Sequence, residues 1–148
     1  MMNTGDHDGT EIRAAISADS DAVVALWTAA GLARPWNNPA TDFCMAQAGG
    51  SSDVLLALDE SGSVIGTIMV GFDGHRGWVY YLGVHPAHQR KGTGRRLMRA
   101  AEEWLRAREC PKLMFMVRTD NLATKAFYTA LGYETQSVET LGRRLDEP

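Results

Sequence analysis

The sequence predicts an α/β protein of the α+β kind: a central, mostly antiparallel mixed sheet with helices on both faces. Three observations carry this. The apolar runs follow the order strand, helix, helix, three strands, helix, strand, helix and one or two closing strands. The three consecutive strands are joined by hairpin-length turns, whereas the later strand–helix–strand unit needs a crossover, so antiparallel and parallel pairs must share one sheet. The 148 residues are 45% hydrophobic and 22% charged, which suits one buried core and excludes a disordered or membrane-spanning chain by composition. Residues 10–148 are expected to form a single domain behind a flexible polar start at residues 1–9, which lacks the apolar stretch of a signal peptide. A cytoplasmic location follows as the expectation, with Cys44 and Cys110 as reduced, packed thiols.

Each element has a local reason. Glu11–Ser17 alternates weakly and reads as a first strand. Asp19 or Ser20 can cap a helix to about Ala30, with Val23, Leu26, Trp27 and Ala30 on its apolar face and Gly31 after its end. Leu32–Ala40 holds two prolines and reads as a loop, followed by a short helix through Phe43, Cys44 and Gln47. Asp53–Leu58 is an apolar strand, closed by turn residues Asp59–Ser63. Val64–Phe72 and Gly77–Val84 flank Asp73-Gly74-His75-Arg76, and Asp-Gly between such runs signals a hairpin. A helix starting at Gly94 presents Leu97, Met98, Ala101, Trp104 and Leu105 on one face. Lys112–Val117 reads as another strand. A helix from Asn121 would bury Ala123, Ala126, Phe127, Ala130 and Leu131, and Tyr133–Leu145 has room for two short strands.

The start of the Gly94 helix breaks local rules. Arg90, Lys91, Arg95, Arg96 and Arg99 surround Gly92-Thr93-Gly94, where the macrodipole is already positive and the first N–H groups need partners. The net charge is -3, so this is a local positive field on a mildly acidic protein, suited to a small polyanion rather than to nucleic acid. Three readings are open for Gln89–Gly94: a solvated basic turn, a nucleotide loop, or a metal-free pyrophosphate cradle built on backbone N–H groups. The G-x-x-x-x-G-K-[ST] loop is absent, and Leu97 stands where a dinucleotide fingerprint needs glycine.

VHPAHQRKGTG closely resembles the acetyl-coenzyme A signature of the GCN5-related N-acetyltransferases (GNAT proteins): a strand ending in Val-x-Pro, then Gln/Arg-x-x-Gly-x-Gly/Ala at a helix start. RTDNLATKAFYTALGYE, from Arg118 to Glu134, resembles the helix that follows in that family. RPWNNP, GFDGHRG and YYLGVHP are similar to motifs of its bacterial YpeA-type group. The resemblance implies a GNAT-like acyl-CoA N-acyltransferase fold over nearly the whole chain. It places the pyrophosphate on Gln89, Arg90, Lys91, Gly92, Thr93, Gly94 and Arg95. It places the pantetheine along Leu82, Gly83 and Val84, on a strand that bulges and splays in the family, and adds Asn121 and Phe127 to the cofactor side. On its own account Gly83 suits a bulge, the close approach of another chain or simply tight packing.

Acetyl transfer to an amine needs a neutral amine, donors for the oxyanion and a proton for the thiolate. A strand N–H near Leu82 suits the oxyanion. The resemblance makes Tyr128 the acid, and its reference pKa of about 10 keeps it protonated at neutral pH. No base stands out among Asp73, His75, His85, Tyr80 and Tyr81. Arg34, Trp36, Asn37 and Asn38 in the first interhelical loop, with Asp73, His75, Arg76 and Tyr80 in the second hairpin, are the candidates for the acceptor. Arg34 could clamp a carboxylate. His85-Pro86-Ala87-His88 offers no third ligand, so no metal site is expected. The expected activity is transfer of acetyl from acetyl-CoA by direct attack of a primary amine of a small or amino-acid-like molecule. An acyl-CoA sensor and a protein N-terminal acetyltransferase are the alternatives. Neither nucleic acid nor membrane is expected as a partner, and a homodimer stays open.

Overall fold

The computed structural model describes residues 9–146; the expected flexible start, apart from Gly9, lies outside the described residues. The chain divides into two compact units between Phe115 and Met116. The first holds β1 (Glu11–Ala14), α1 (Ser20–Ala29), α2 (Pro39–Ala48), β2 (Ser52–Leu58), β3 (Val64–Phe72), β4 (Gly77–Val84), α3 (Thr93–Arg106) and β5 (Leu113–Met114). Its sheet runs β1-β2-β3-β4-β5, antiparallel through β4 and parallel between β4 and β5. No described helix is long and apolar enough to cross a membrane.

Strand alternation distributes the core over both faces. Val54, Leu56 and Leu58 of β2 meet Val23 and Trp27 of α1 and Phe43 and Ala46 of α2. Leu55 and Ala57 point the other way, paired with Ile68 and Gly66 of β3. On that face Leu97 of α3 lies over Gly66, and Leu105 lies over Gly77. The high amphipathicity read from α3 is thus used: Leu97, Met98, Ala101 and Leu105 are buried, while Arg95, Arg99 and Glu103 face water.

Several local expectations differ. Asp19 precedes α1 without bonding its N–H groups, because Arg13 and the Ile16 N–H take its carboxylate. The loop after α1 ends earlier than expected: Pro39 opens α2, and Asn38 caps it by accepting from the Thr41 N–H at 3.1 Å. Cys44 is exposed rather than packed, since Phe43 takes the inward position. β5 spans two residues where six were expected, and its ladder with β4 ends at Trp78. The second unit holds α4 (Leu122–Ala130), and Tyr133–Leu145 forms neither expected strand. No residue of α4 is fully buried, and Tyr128 is half-buried.

Candidate active site

The site begins with an irregularity in β4. Met69 pairs with Tyr80, and Thr67 pairs with Gly83, so Tyr81 and Leu82 together oppose Ile68. This is a β-bulge, and Tyr81 takes the left-handed conformation there, with φ 52°. The extra residue resets the alternation of side chains, so that Tyr80 and Tyr81 line the same cavity. Gly83 then faces α1 and the loop after it. A Cβ at that position would lie 2.5 Å from Leu32 Cδ1, so any larger residue would force the Leu32 side chain to move. Of the readings the sequence allows for Gly83, tight packing is the one observed, against Leu32 and Ala30, and the bulge lies just before it.

Long-range contacts hold Tyr81 in its unfavourable backbone conformation. Its ring stacks on Trp27 at 3.9 Å between centroids. The Trp27 indole N–H donates to Thr67 Oγ1 at 2.9 Å, and the Thr67 hydroxyl donates to the Tyr81 carbonyl at 3.0 Å. The Tyr81 hydroxyl donates to Asp42 Oδ2 at 2.6 Å. Burial, reinforced by that bond and the Asp42 charge, raises the Tyr81 phenol far above its ordinary pKa. Beyond Trp78 no strand among the described residues adjoins the second edge of β4. The Leu82–Val84 stretch therefore presents backbone amides along an edge that the sheet does not complete.

The chain leaves β4 through a short turn at Pro86–His88 and enters α3. Gln89 Nε2 donates back to the Val84 carbonyl at 3.2 Å. Arg90 and Gly92 both adopt left-handed backbone, with φ of 64° and 83°. Among the described residues, no group accepts from the backbone N–H groups of Arg90, Lys91, Gly92, Thr93, Gly94 or Arg95. Gly92 precedes α3 with no side-chain cap, and a Cβ there would meet open space. Successive N–H groups at left-handed residues beside a helix N-terminus are an arrangement that suits an anion. Arg90, Lys91 and Arg95 are exposed around it, whereas Arg96 turns away and donates to the Thr10 carbonyl at 3.1 Å.

The cavity next to the bulge has a volume of about 600 Å³. Of the residues proposed from sequence for the acceptor, Asn37 and Tyr80 line it. Arg34, Trp36, Asp73 and His75 do not. Arg34 Nη1 donates to the Gly31 carbonyl at 2.9 Å, which ties its guanidinium to the end of the α1 turn. Trp36 is 52% exposed. Asp73 accepts from the Arg76 and His75 N–H groups at 2.7 and 2.8 Å and from the Trp78 indole at 3.1 Å. These donors hold the Asp73 carboxyl below the usual carboxylate range and fix the hairpin turn. His85 Nδ1 accepts from the Ala87 N–H at 3.1 Å. Asp42 also lines the cavity; sequence reasoning missed it, because an acid in the first turn of a helix is explained by the dipole alone.

In the second unit Asn121 caps α4 by accepting from the Thr124 N–H at 3.2 Å. Phe127 and Tyr128 meet edge-to-face at 5.1 Å, and Tyr133 stands edge-on to Tyr128 at 6.1 Å. Burial pushes the Tyr128 phenol up to about 12.

Residues 19–133 match the model of the acetyltransferase (GNAT) family. The chain is 43% identical to an acetyltransferase of Pectobacterium atrosepticum, over 93% of this chain and 96% of that one. It is equally 43% identical to an acetyltransferase of Yersinia enterocolitica, over 91% and 95%. Among solved structures, the fold is similar to AAC(6')-Iy in complex with the bisubstrate analogue CoA-S-monomethyl-acetylneamine. That match has a TM-score of 0.79 at 15% identity and covers 91% of this chain and 97% of that one. Glucosamine-6-phosphate N-acetyltransferase from Arabidopsis thaliana matches with a TM-score of 0.71 at 15% identity, over 93% and 99%. The bulged fourth strand, its unfinished edge and the glycine cradle that follows thus lie in an acetyltransferase fold, and the chain belongs to the GNAT family of acetyltransferases.

Proposed function

We propose that this acetyltransferase transfers acetyl from acetyl-CoA to a primary amine of a small molecule by direct attack. The observation that carries the reading is the run of free N–H groups from Arg90 to Arg95, set at two left-handed residues and directly after the incomplete edge of β4. That arrangement fits a pyrophosphate without metal, because each phosphate oxygen can take a backbone donor while Arg90, Lys91 and Arg95 add charge. The amides of Leu82, Gly83 and Val84 would pair with the pantetheine arm. Bound acetyl-CoA would supply a thioester carbonyl open to attack. The N–H at Leu82 is the donor assigned to the oxygen that becomes negative. Family resemblance assigns Asn121 and Phe127 to the cofactor and Tyr128 to the sulfur. With its pKa near 12, Tyr128 Oη holds its proton throughout the neutral range. A protonated phenol is what donation to the departing sulfur requires. Similarity over more than nine-tenths of the chain to proteins named acetyltransferases favours turnover over a sensor role.

The test is thiol release from acetyl-CoA over a library of primary amines, with Tyr128→Phe alongside the wild type. The ring is kept and one hydroxyl is lost. Turnover is expected to fall roughly 10²–10⁴-fold, the span of a positioned acid, with little change in acetyl-CoA affinity. Wild-type turnover in the Phe variant with a confirmed acceptor removes Tyr128 from the mechanism. Absence of amine-dependent thiol release across the library overturns the proposed reaction.

A further inference from the structure

We propose that the cavity beside the bulge selects an acceptor with two basic nitrogens, an aliphatic diamine or polyamine: Asp42 holds one as an ammonium while the other is acetylated. The inference rests on the amine acetylation proposed above and narrows its substrate class. The first ground is the lining. Among the described residues that line it, Asp42 is the one that is charged, and none of the others is basic. Leu32, Met45, Ala46 and Met69 make much of the wall apolar, with Asn37 and Tyr80 at polar positions. An acceptor carboxylate would find no cation in this cavity and would face Asp42, since Arg34 is tied to the Gly31 carbonyl and lies outside the lining. An amino acid is therefore a poor fit, and a cation with a methylene body is a good one.

The second ground separates the two nitrogens. Asp42 Oδ2 accepts from the Tyr81 hydroxyl, whereas no described residue bonds Oδ1, which is left to receive an ammonium. A nitrogen paired with a carboxylate is stabilised in its protonated form and has no lone pair to offer. The nitrogen on Asp42 is thus an anchor rather than the nucleophile. Tyr81 supplies the spacing. Its hydroxyl touches Asp42 while its backbone forms the bulge, so the carboxylate sits one tyrosine side chain away from the strand where reaction is proposed. A short methylene chain is of a length to span that separation, and Met69 and Leu32 are among the apolar residues of the same lining.

The experiment compares 1,4-diaminobutane, 1-aminobutane and 4-aminobutanoate, which share a four-carbon chain. Each is measured by kcat/KM for thiol release from acetyl-CoA and by calorimetric titration into enzyme saturated with CoA. The diamine is expected to exceed the monoamine by about tenfold at low salt, as one charge-assisted contact allows. The aminobutanoate is expected to fall below both. In Asp42→Asn the amide oxygen still accepts from Tyr81, so a merely structural role of Asp42 would leave the diamine-to-monoamine ratio unchanged. The proposal expects that ratio to drop to within about threefold. A diamine preference in binding that Asp42→Asn abolishes supports the assignment even if no thiol is released, and that combination overturns the acetylation reading instead. Thiol release with no diamine preference overturns the assignment and leaves acetylation standing. A ratio that survives Asp42→Asn, or an aminobutanoate equal to the diamine, also overturns it.

Discussion

Asp19 gathers three donors at one carboxylate. Arg13 approaches with both terminal nitrogens, at 2.8 and 3.0 Å, and the Ile16 N–H donates at 2.8 Å. The Asp19 side chain is only 14% exposed, so the pair is less screened than an ordinary surface ion pair. The Arg13 hydrogen bonds chiefly, and the Ile16 N–H with them, outweigh desolvation and lower the Asp19 pKa. The sign follows from linkage. A folded-state pKa below the unfolded value of about 3.9 means stability that is present above pH 4 and lost as pH falls through the lowered value. Asp19→Asn is expected to destabilise the protein by about 1–2 kcal/mol at pH 7, since charge-assisted bonds become neutral ones. Near pH 2 variant and wild type should converge. Urea unfolding at both pH values measures this, and an equal loss at both would show that the carboxylate charge is not what matters. This arrangement also accounts for the missing cap on α1: the side chain that composition offers to the helix end has a stronger partner across the turn.

The bulge in β4 is the element on which the site depends, and Thr67 is its keystone. Thr67 is fully buried and sits between the Trp27 indole and the Tyr81 carbonyl. Thr67→Val keeps the shape and removes the hydroxyl, leaving one buried donor and one buried acceptor without a partner. The expected loss is about 2–4 kcal/mol in unfolding free energy, as each orphan costs about 1–3 kcal/mol. Released from that bond, the strand is expected to misplace the Leu82 N–H, so kcat should fall at least tenfold while acetyl-CoA affinity changes little. Unchanged kcat in a destabilised variant would mean that Thr67 serves packing alone. The same element marks where the sequence stops being legible. β3 and β4 were readable end to end, because Asp73-Gly74 and the apolar runs beside it are local signals. The basic glycine turn before α3 was readable for the same reason: glycines and cations lie in one short segment. A tyrosine at positive φ has no local signature. Its supports are 14 positions away at Thr67 and 39 away at Asp42, and only the fold brings them together. β5 failed differently. Its apolar content suited a strand of six residues, but a strand exists only where a partner offers its edge, and the β4 ladder stops at Trp78.

The molecule as a whole is acidic, with a net charge of -3, yet Arg90, Lys91, Arg95 and Arg99 are all exposed around one helix start. Concentrated positive charge beside a helix N-terminus favours a bound polyanion. Acetyl-CoA is therefore expected to stabilise the fold by more than its apolar contacts alone would give. At about 100 times its dissociation constant, mass action predicts roughly 2.7 kcal/mol, or a rise in Tm of about 5–10 °C for a chain of this size. Two comparisons isolate the cradle. Acetyl-pantetheine carries the thioester and amides but no phosphate, so at the same concentration its shift should be small. Gly92→Val forces a β-branched side chain onto a backbone with φ 83°, which it adopts only under strain. The turn must rearrange and the N–H groups diverge, so the acetyl-CoA shift should disappear while α3, held by Leu97 and Leu105 on the sheet, keeps the variant folded. Raising the salt should shrink the wild-type shift, because the contributing cations are solvent-exposed. Scanning calorimetry with and without each ligand decides the matter. Equal shifts from acetyl-CoA and acetyl-pantetheine would move the binding energy to the β4 edge and leave the basic loop as a solvated turn.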